Sequence, residues 1–163
     1  MTSPTSGSPA PSATPARPAD PADGALFDAV AGEHGVIYGY GLVSAHSTPD
    51  LNELVSESLA GHRELREEGI ARLVARKVTP PVPALGYQMP FAVDNPTAAE
   101  KLAVRMEESS ATAWRAVLEQ AKAGDDRELA VNALTTAAVT AAKWRAVLGV
   151  VPTTVAFPGG NET

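Results

Sequence analysis

Glu33 and His62 are the two residues of this chain best placed to do chemistry together. Plotted at about 100° per residue, the first helical segment turns Leu26, Val30, Glu33, Ile37 and Tyr40 to one side, with Glu33 at the centre. The second turns Leu51, Val55, Ser58, His62, Leu65 and Leu73 to one side, and His62 is central. Glu33 lies fourteen residues before a turn centred on Ser47 and His62 fifteen after it, so an antiparallel hairpin sets them level. A buried carboxylate is costly unless it is paired or binds a cation. Such a pair therefore either ligates a metal ion or bonds to itself.

The metal reading is tested by ligand spacing. Di-metal carboxylate bundles take one Glu from each of two helices and Glu-x-x-His from each of the other two. The residues three before His34, His46 and His62 are Ala31, Val43 and Leu59, so no Glu-x-x-His exists. Glu107 falls on the edge of its helix's apolar face, Glu108 points away, and the fourth helix offers Leu134, Ala137, Ala138 and Ala141 where ligands would sit. Glu33, His62 and Glu107 remain as weak metal candidates, enough for one weakly bound ion and no other cofactor. The competing reading is a buried Glu33–His62 hydrogen bond, extended to Arg66 or to Arg145. On that reading Glu33→Gln with His62→Phe is nearly neutral for folding, while each single change is costly.

Other chemistries are poorly supplied. The chain has 163 residues, no cysteine, three histidines and a net charge of −6. That removes disulfides, thiolate metal sites and a cysteine nucleophile, and argues against nucleic-acid binding, which rests on phosphate neutralisation. Arg63, Arg66, Arg72, Arg76 and Lys77 are interrupted by Glu57, Glu64, Glu67 and Glu68, which makes a mixed solvated face rather than a basic stripe. No Gly-x-Ser-x-Gly elbow, phosphate loop or dinucleotide fingerprint occurs.

The elements that position these residues are helices. Asp20-Pro21, Thr48-Pro49 and Asn95-Pro96 each pair a capping residue with proline at the first helical position. Asp125 to Glu128 reads as a capping box after Gly124, itself read as the C-terminal cap of the preceding helix. The expected spans are 21–46, 49–78, 96–123 and 126–148, an all-α four-helix bundle built from two antiparallel hairpins. Between the hairpins, 79–95 carries Pro80, Pro81, Pro83 and Pro90. Extended at about 3.1 Å per residue it reaches on the order of 50 Å, against helices of about 35–42 Å. One long crossover of this kind is the ferritin-like connectivity. The Ser/Thr/Pro/Ala stretch 1–19 reads as a disordered tail without the apolar region of a secretory signal. No apolar run approaches the ~18 residues of a membrane span, so the expectation is a soluble, cytoplasmic protein.

The runs Ala31-Gly32-Glu33-His34-Gly35-Val36-Ile37-Tyr38-Gly39-Tyr40-Gly41 and Ala60-Gly61-His62-Arg63-Glu64-Leu65-Arg66 carry a family resemblance. They resemble a ferritin-like domain of unknown function found as a small stand-alone protein in high-GC bacteria. The resemblance spans about residues 23–160, through Phe157-Pro158-Gly159. It implies the ferritin-like fold and brings no activity with it.

Gly32, Gly35 and Gly39 share one face of the first helix with Ala25 and Leu42. Glycine inside a helix costs about 0.8–1 kcal/mol relative to alanine, so three need a reason. Close approach to a second copy makes Gly32, Gly35, Gly39 and Leu42 candidates for a homodimer interface; the alternative is that the crossover or a neighbouring helix fills this groove. Trp-Arg-Ala-Val-Leu occurs at 114–118 and 144–148, at opposite bundle ends, and is read as coincidence. The tail from Gly149 is expected to fold Val150, Val155 and Phe157 over one end. Together these features point to a non-catalytic bundle acting through dimerisation or partner binding. The rival is an oxidoreductase or metal-storage protein with an incomplete carboxylate/His site. A small ligand beside Tyr38 and Tyr40 is a third possibility.

Overall fold

A computed structural model describes residues 14–160. Among them are four α-helices, α1 (Pro21–His46), α2 (Asn52–Ala75), α3 (Pro96–Gln120) and α4 (Gly124–Val147). The expected 1–19 tail lies outside the described residues up to 13. Its last part does not stand free of the bundle: Arg17 bonds Asp28 on α1 at 2.8 Å.

Two of the expected caps form. Asp20 accepts from the backbone of Ala22 and Asp23, and Asn95 from that of Ala98. Thr48 makes no side-chain cap; a 3-10 turn, Pro49–Leu51, leads into α2 instead. Gly124 is the first residue of α4 rather than a cap of α3, which stops at Gln120. Both α2 and α4 end in the six-to-one, five-to-two bonding of a Schellman motif. In α4 the left-handed position is Gly149, at φ 69°; in α2 it is Lys77, at φ 60°, with Val78 N–H donating to Leu73.

Two core clusters fix the helix directions. One joins the start of α1 and α4 to the ends of α2 and α3, through Leu26, Val30, Leu73, Trp114 and Ala130. The other joins the opposite ends, through Tyr40, Val55, Leu102 and Trp144. Helix α1 is therefore antiparallel to both α2 and α3, and α3 to α4, while α2 shares its direction with α3 across the diagonal. The segment 79–95 must run the length of the bundle to start α3 beside the start of α2, the crossover that its length allows.

Helix α1 packs on both α2 and α3, and the crossover covers a third side. Tyr87 lies against Gly35, with its ring 5.3 Å from that of Tyr38, and His34 Nε2 sits 3.2 Å from the Pro81 carbonyl. This explains why α1 buries residues almost all round, from Ala22 to Val43. The C-terminal tail runs back along α3 and α4, held by Arg145 on the Thr153 carbonyl and with Gly159 against the Ala111 carbonyl. Val150 and Phe157 are exposed rather than folded over an end.

Candidate functional site

A buried polar cluster occupies the middle of the bundle. Glu33 on α1 and His62 on α2 meet at 2.6 Å, from Oε2 to Nδ1. The other ring nitrogen, Nε2, reaches across the diagonal to Glu107 Oε1 on α3 at 3.0 Å. Both glutamates are 1% exposed. Glu33 Oε1 accepts two further bonds, from Ser110 at 2.9 Å and from the Trp114 indole at 2.8 Å. Tyr40 donates its hydroxyl to Glu107 Oε1, and Trp144 donates to the Tyr40 hydroxyl at 3.0 Å.

The electrostatics follow from this wiring. Burial alone would lower the His62 pKa, but hydrogen bonds and charge from Glu107 and Glu33 outweigh it and push it up to about 10. At neutral pH His62 is therefore an imidazolium, with both nitrogens as donors. The Tyr40 phenol is held well above its ordinary value, first by burial and then by the charge of Glu107. Tyr40 stays a donor.

Glu33 and His62 meet inside the bundle, where helical periodicity sets them. Glu107, expected only at the edge of an apolar face, is fully inside and bonded to His62. The two arginines expected to extend the pair do not reach it. Arg66 bonds its neighbour Glu67, and Arg145 bonds Glu108 and the tail. The two copies of Trp-Arg-Ala-Val-Leu do lie toward opposite ends, yet the indoles of Trp114 and Trp144 enter the same network from either side. The repeat is the sequence signal that could have pointed to them. The glycines of α1 divide: Gly35 is covered by Tyr87 and Gly39 by Met106 of α3, while Gly32 is exposed, with open space around its Cβ position. Leu42 packs against the second core cluster. Gly69, not singled out from sequence, makes the closest approach on α2, where an added Cβ would lie 2.5 Å from Val30 Cγ2.

The cluster does not fit a di-metal centre. Each His62 nitrogen is directed at a carboxylate, and α4 contributes alanines and Trp144 on this side. Among the described residues no group of three or more His, Cys, Asp or Glu is arranged to hold a metal ion. What the arrangement does provide is an imidazolium that stands as the internal counter-cation of two carboxylates from different helices.

On the remaining side the bundle is not closed. Helix packing joins α1 to α2, α1 to α3 and α3 to α4. Along α2 and α4 lies a cavity of about 570 Å³ whose lining includes His62 and Glu107. At one end Asp126 of α4 pairs with Arg76 and, at 3.5 Å, with Arg72 of α2; Arg76 also holds Asp23 of α1 at 2.9 Å. No helix among the described residues is long and apolar enough to cross a membrane.

Fold and site together define a helical bundle organised around a buried carboxylate–imidazolium–carboxylate bridge. The chain belongs to the family described as Domain of unknown function (DUF4439), whose pattern it matches over residues 25–162. It is also similar to the crystal structure of a conserved hypothetical protein, rv2844, from Mycobacterium tuberculosis, with 50% identity and a TM-score of 0.78. That likeness covers 80% of this chain and 98% of the other. No curated protein matches the chain.

Proposed function

We propose that this chain is a ferritin-like bundle that works by binding and has an organic cation, His62, in place of metal chemistry. The full-length crossover and the all-antiparallel neighbours support the ferritin-like assignment. The observation that carries the reading is the His62 bridge, which spends both imidazole nitrogens on Glu33 and Glu107. A neutral imidazole with a free lone pair is what a metal requires. The open α2–α4 side, with no packed helix pair across it, is the binding surface on this reading. Self-association of a cytoplasmic protein through the exposed part of α1 belongs to the same proposal, now centred on Gly32. Elemental analysis of protein produced with iron and manganese in the medium tests it. The expected result is metal far below one ion per chain in both wild type and His62→Gln. Stoichiometric metal in the wild type, absent from His62→Gln, favours the metal-binding alternative built on Glu33, His62 and Glu107.

A further inference from the structure

The α2–α4 cavity has a consistent chemistry. Its volume of about 570 Å³ is that of a small-molecule site. Glu57, Glu64 and Glu68 line it from α2, and Asp125 and Glu128 from α4. Besides His62, which is held by Glu33 and Glu107, the cationic side chains in its lining are Arg72 and Lys143, near opposite ends, and Arg72 is already tied to Glu68 and Asp126. Beneath the acidic rim the lining is apolar, formed by Leu65, Leu129, Ala133 and Ala137.

A second observation is independent of the rim. Glu107, 1% exposed, receives Tyr40 and His62 on the same oxygen, Oε1. Its Oε2 accepts no hydrogen bond among the described residues, whereas Glu33 uses both oxygens. Glu107 lines this cavity and also a second one beside the C-terminal tail. Oε2 is not among the side-chain atoms sealed away without a partner, so it touches open space, where a cation with donors to give can approach it.

We infer that this groove binds a slender aliphatic polyamine, whose terminal ammonium reaches Glu107 Oε2 while its methylenes lie on the leucine and alanine lining. The inference rests on the binding reading above and names its ligand class. An ammonium has three donors and no acceptor, and Thr136 and Thr140 of α4 add hydroxyl acceptors along the same wall. Gly61 faces them from α2, with no atom within 4 Å of where its Cβ would stand. A metal ion is the weaker fit, because His62 offers it no lone pair and Glu107 only one free oxygen.

Calorimetric titration of the full chain with spermidine tests the inference, using wild type, Gly61→Leu, Glu107→Gln and Glu119→Gln. Gly61→Leu adds a side chain to the open cavity without touching the cluster. Glu119 pairs with Arg115 away from the groove and serves as control. The expected result is one spermidine per chain, weakened by about tenfold or more in Gly61→Leu and Glu107→Gln and unchanged in Glu119→Gln. Absence of binding overturns the inference. So does equal binding by all four proteins, which would mark general attraction to an acidic surface. Manganese chloride binding to one groove site, lost in Gly61→Leu, also overturns it. Metal content of the purified protein is read separately, so the binding reading and this ligand class fail by different measurements.

Discussion

His62 Nε2 lies 3.0 Å from Glu107 Oε1, a contact between α2 and α3, the two helices that face each other across the bundle diagonal. With Nδ1 on Glu33, this one ring ties three helices at the level where the two core clusters meet. The bridge sets side chains of α1, α2 and α3 level with one another inside the bundle. Its cost is the burial of three ionisable groups. Breaking such a pair is far more damaging than replacing the whole of it.

His62→Phe therefore destabilises the fold by on the order of 3–5 kcal/mol, because two carboxylates lose their cation. From the sequence alone, adding Glu33→Gln is expected to restore stability. The structure changes this, since Glu107 then remains buried and unpaired. Only the triple variant with Glu107→Gln recovers about half or more of the loss. Urea denaturation of the single, double and triple variants checks the order. Equal stability of double and triple contradicts the three-residue bridge.

Three backbone positions give opposite expectations. At Gly69 an added methyl meets Val30 Cγ2 at 2.5 Å, and Val30 is fully buried and stiff about χ1. Gly69→Ala destabilises by about 1–3 kcal/mol. Gly61 has open space, so Gly61→Ala stabilises by up to about 1 kcal/mol through helix propensity. Lys77 is left-handed at φ 60°, a conformation costing about 1–2 kcal/mol outside glycine, so Lys77→Gly stabilises as well. Thermal melts of the three variants read these signs directly.

The hairpin register and the inward face of α1 and α2 were legible because helical periodicity places Glu33 and His62 without knowledge of anything else. Glu107 was not, since its wheel shows only the edge of an apolar face. Its burial depends on His62 reaching over the diagonal. The glycine face of α1 was open to misreading for a related reason. Whether a small-residue stripe meets a second copy or the same chain depends on the path of 79–95, and Tyr87 and Met106 occupy Gly35 and Gly39 only once that path is known. The long crossover itself was readable from proline content and reach. The end of α3 was not, because Gly124 carries the same local signal whether it closes one helix or opens the next.

Stability depends on pH through His62. Its pKa is about 10 when folded and about 6.5 when unfolded. The folded state thus holds the proton more tightly, a contribution fully present below the unfolded value and lost as pH rises through the folded one. Between about pH 7 and pH 9.5 the free energy of unfolding falls by up to about 1.4 kcal/mol per pH unit. The window stops there because unfolded tyrosines begin to ionise near pH 10. Denaturant titrations of wild type and the triple variant check the slope, which the triple variant lacks.

The most direct measurement is the protonation of the ring itself. Nitrogen-15 NMR of histidine-labelled protein at about pH 8, well above the ordinary imidazole value, resolves His62, with His62→Gln giving the assignment. Two protonated ring nitrogens, one facing Glu33 and one facing Glu107, are the result the bridge predicts. One protonated and one bare nitrogen would mean a neutral imidazole, and would contradict the account at its centre.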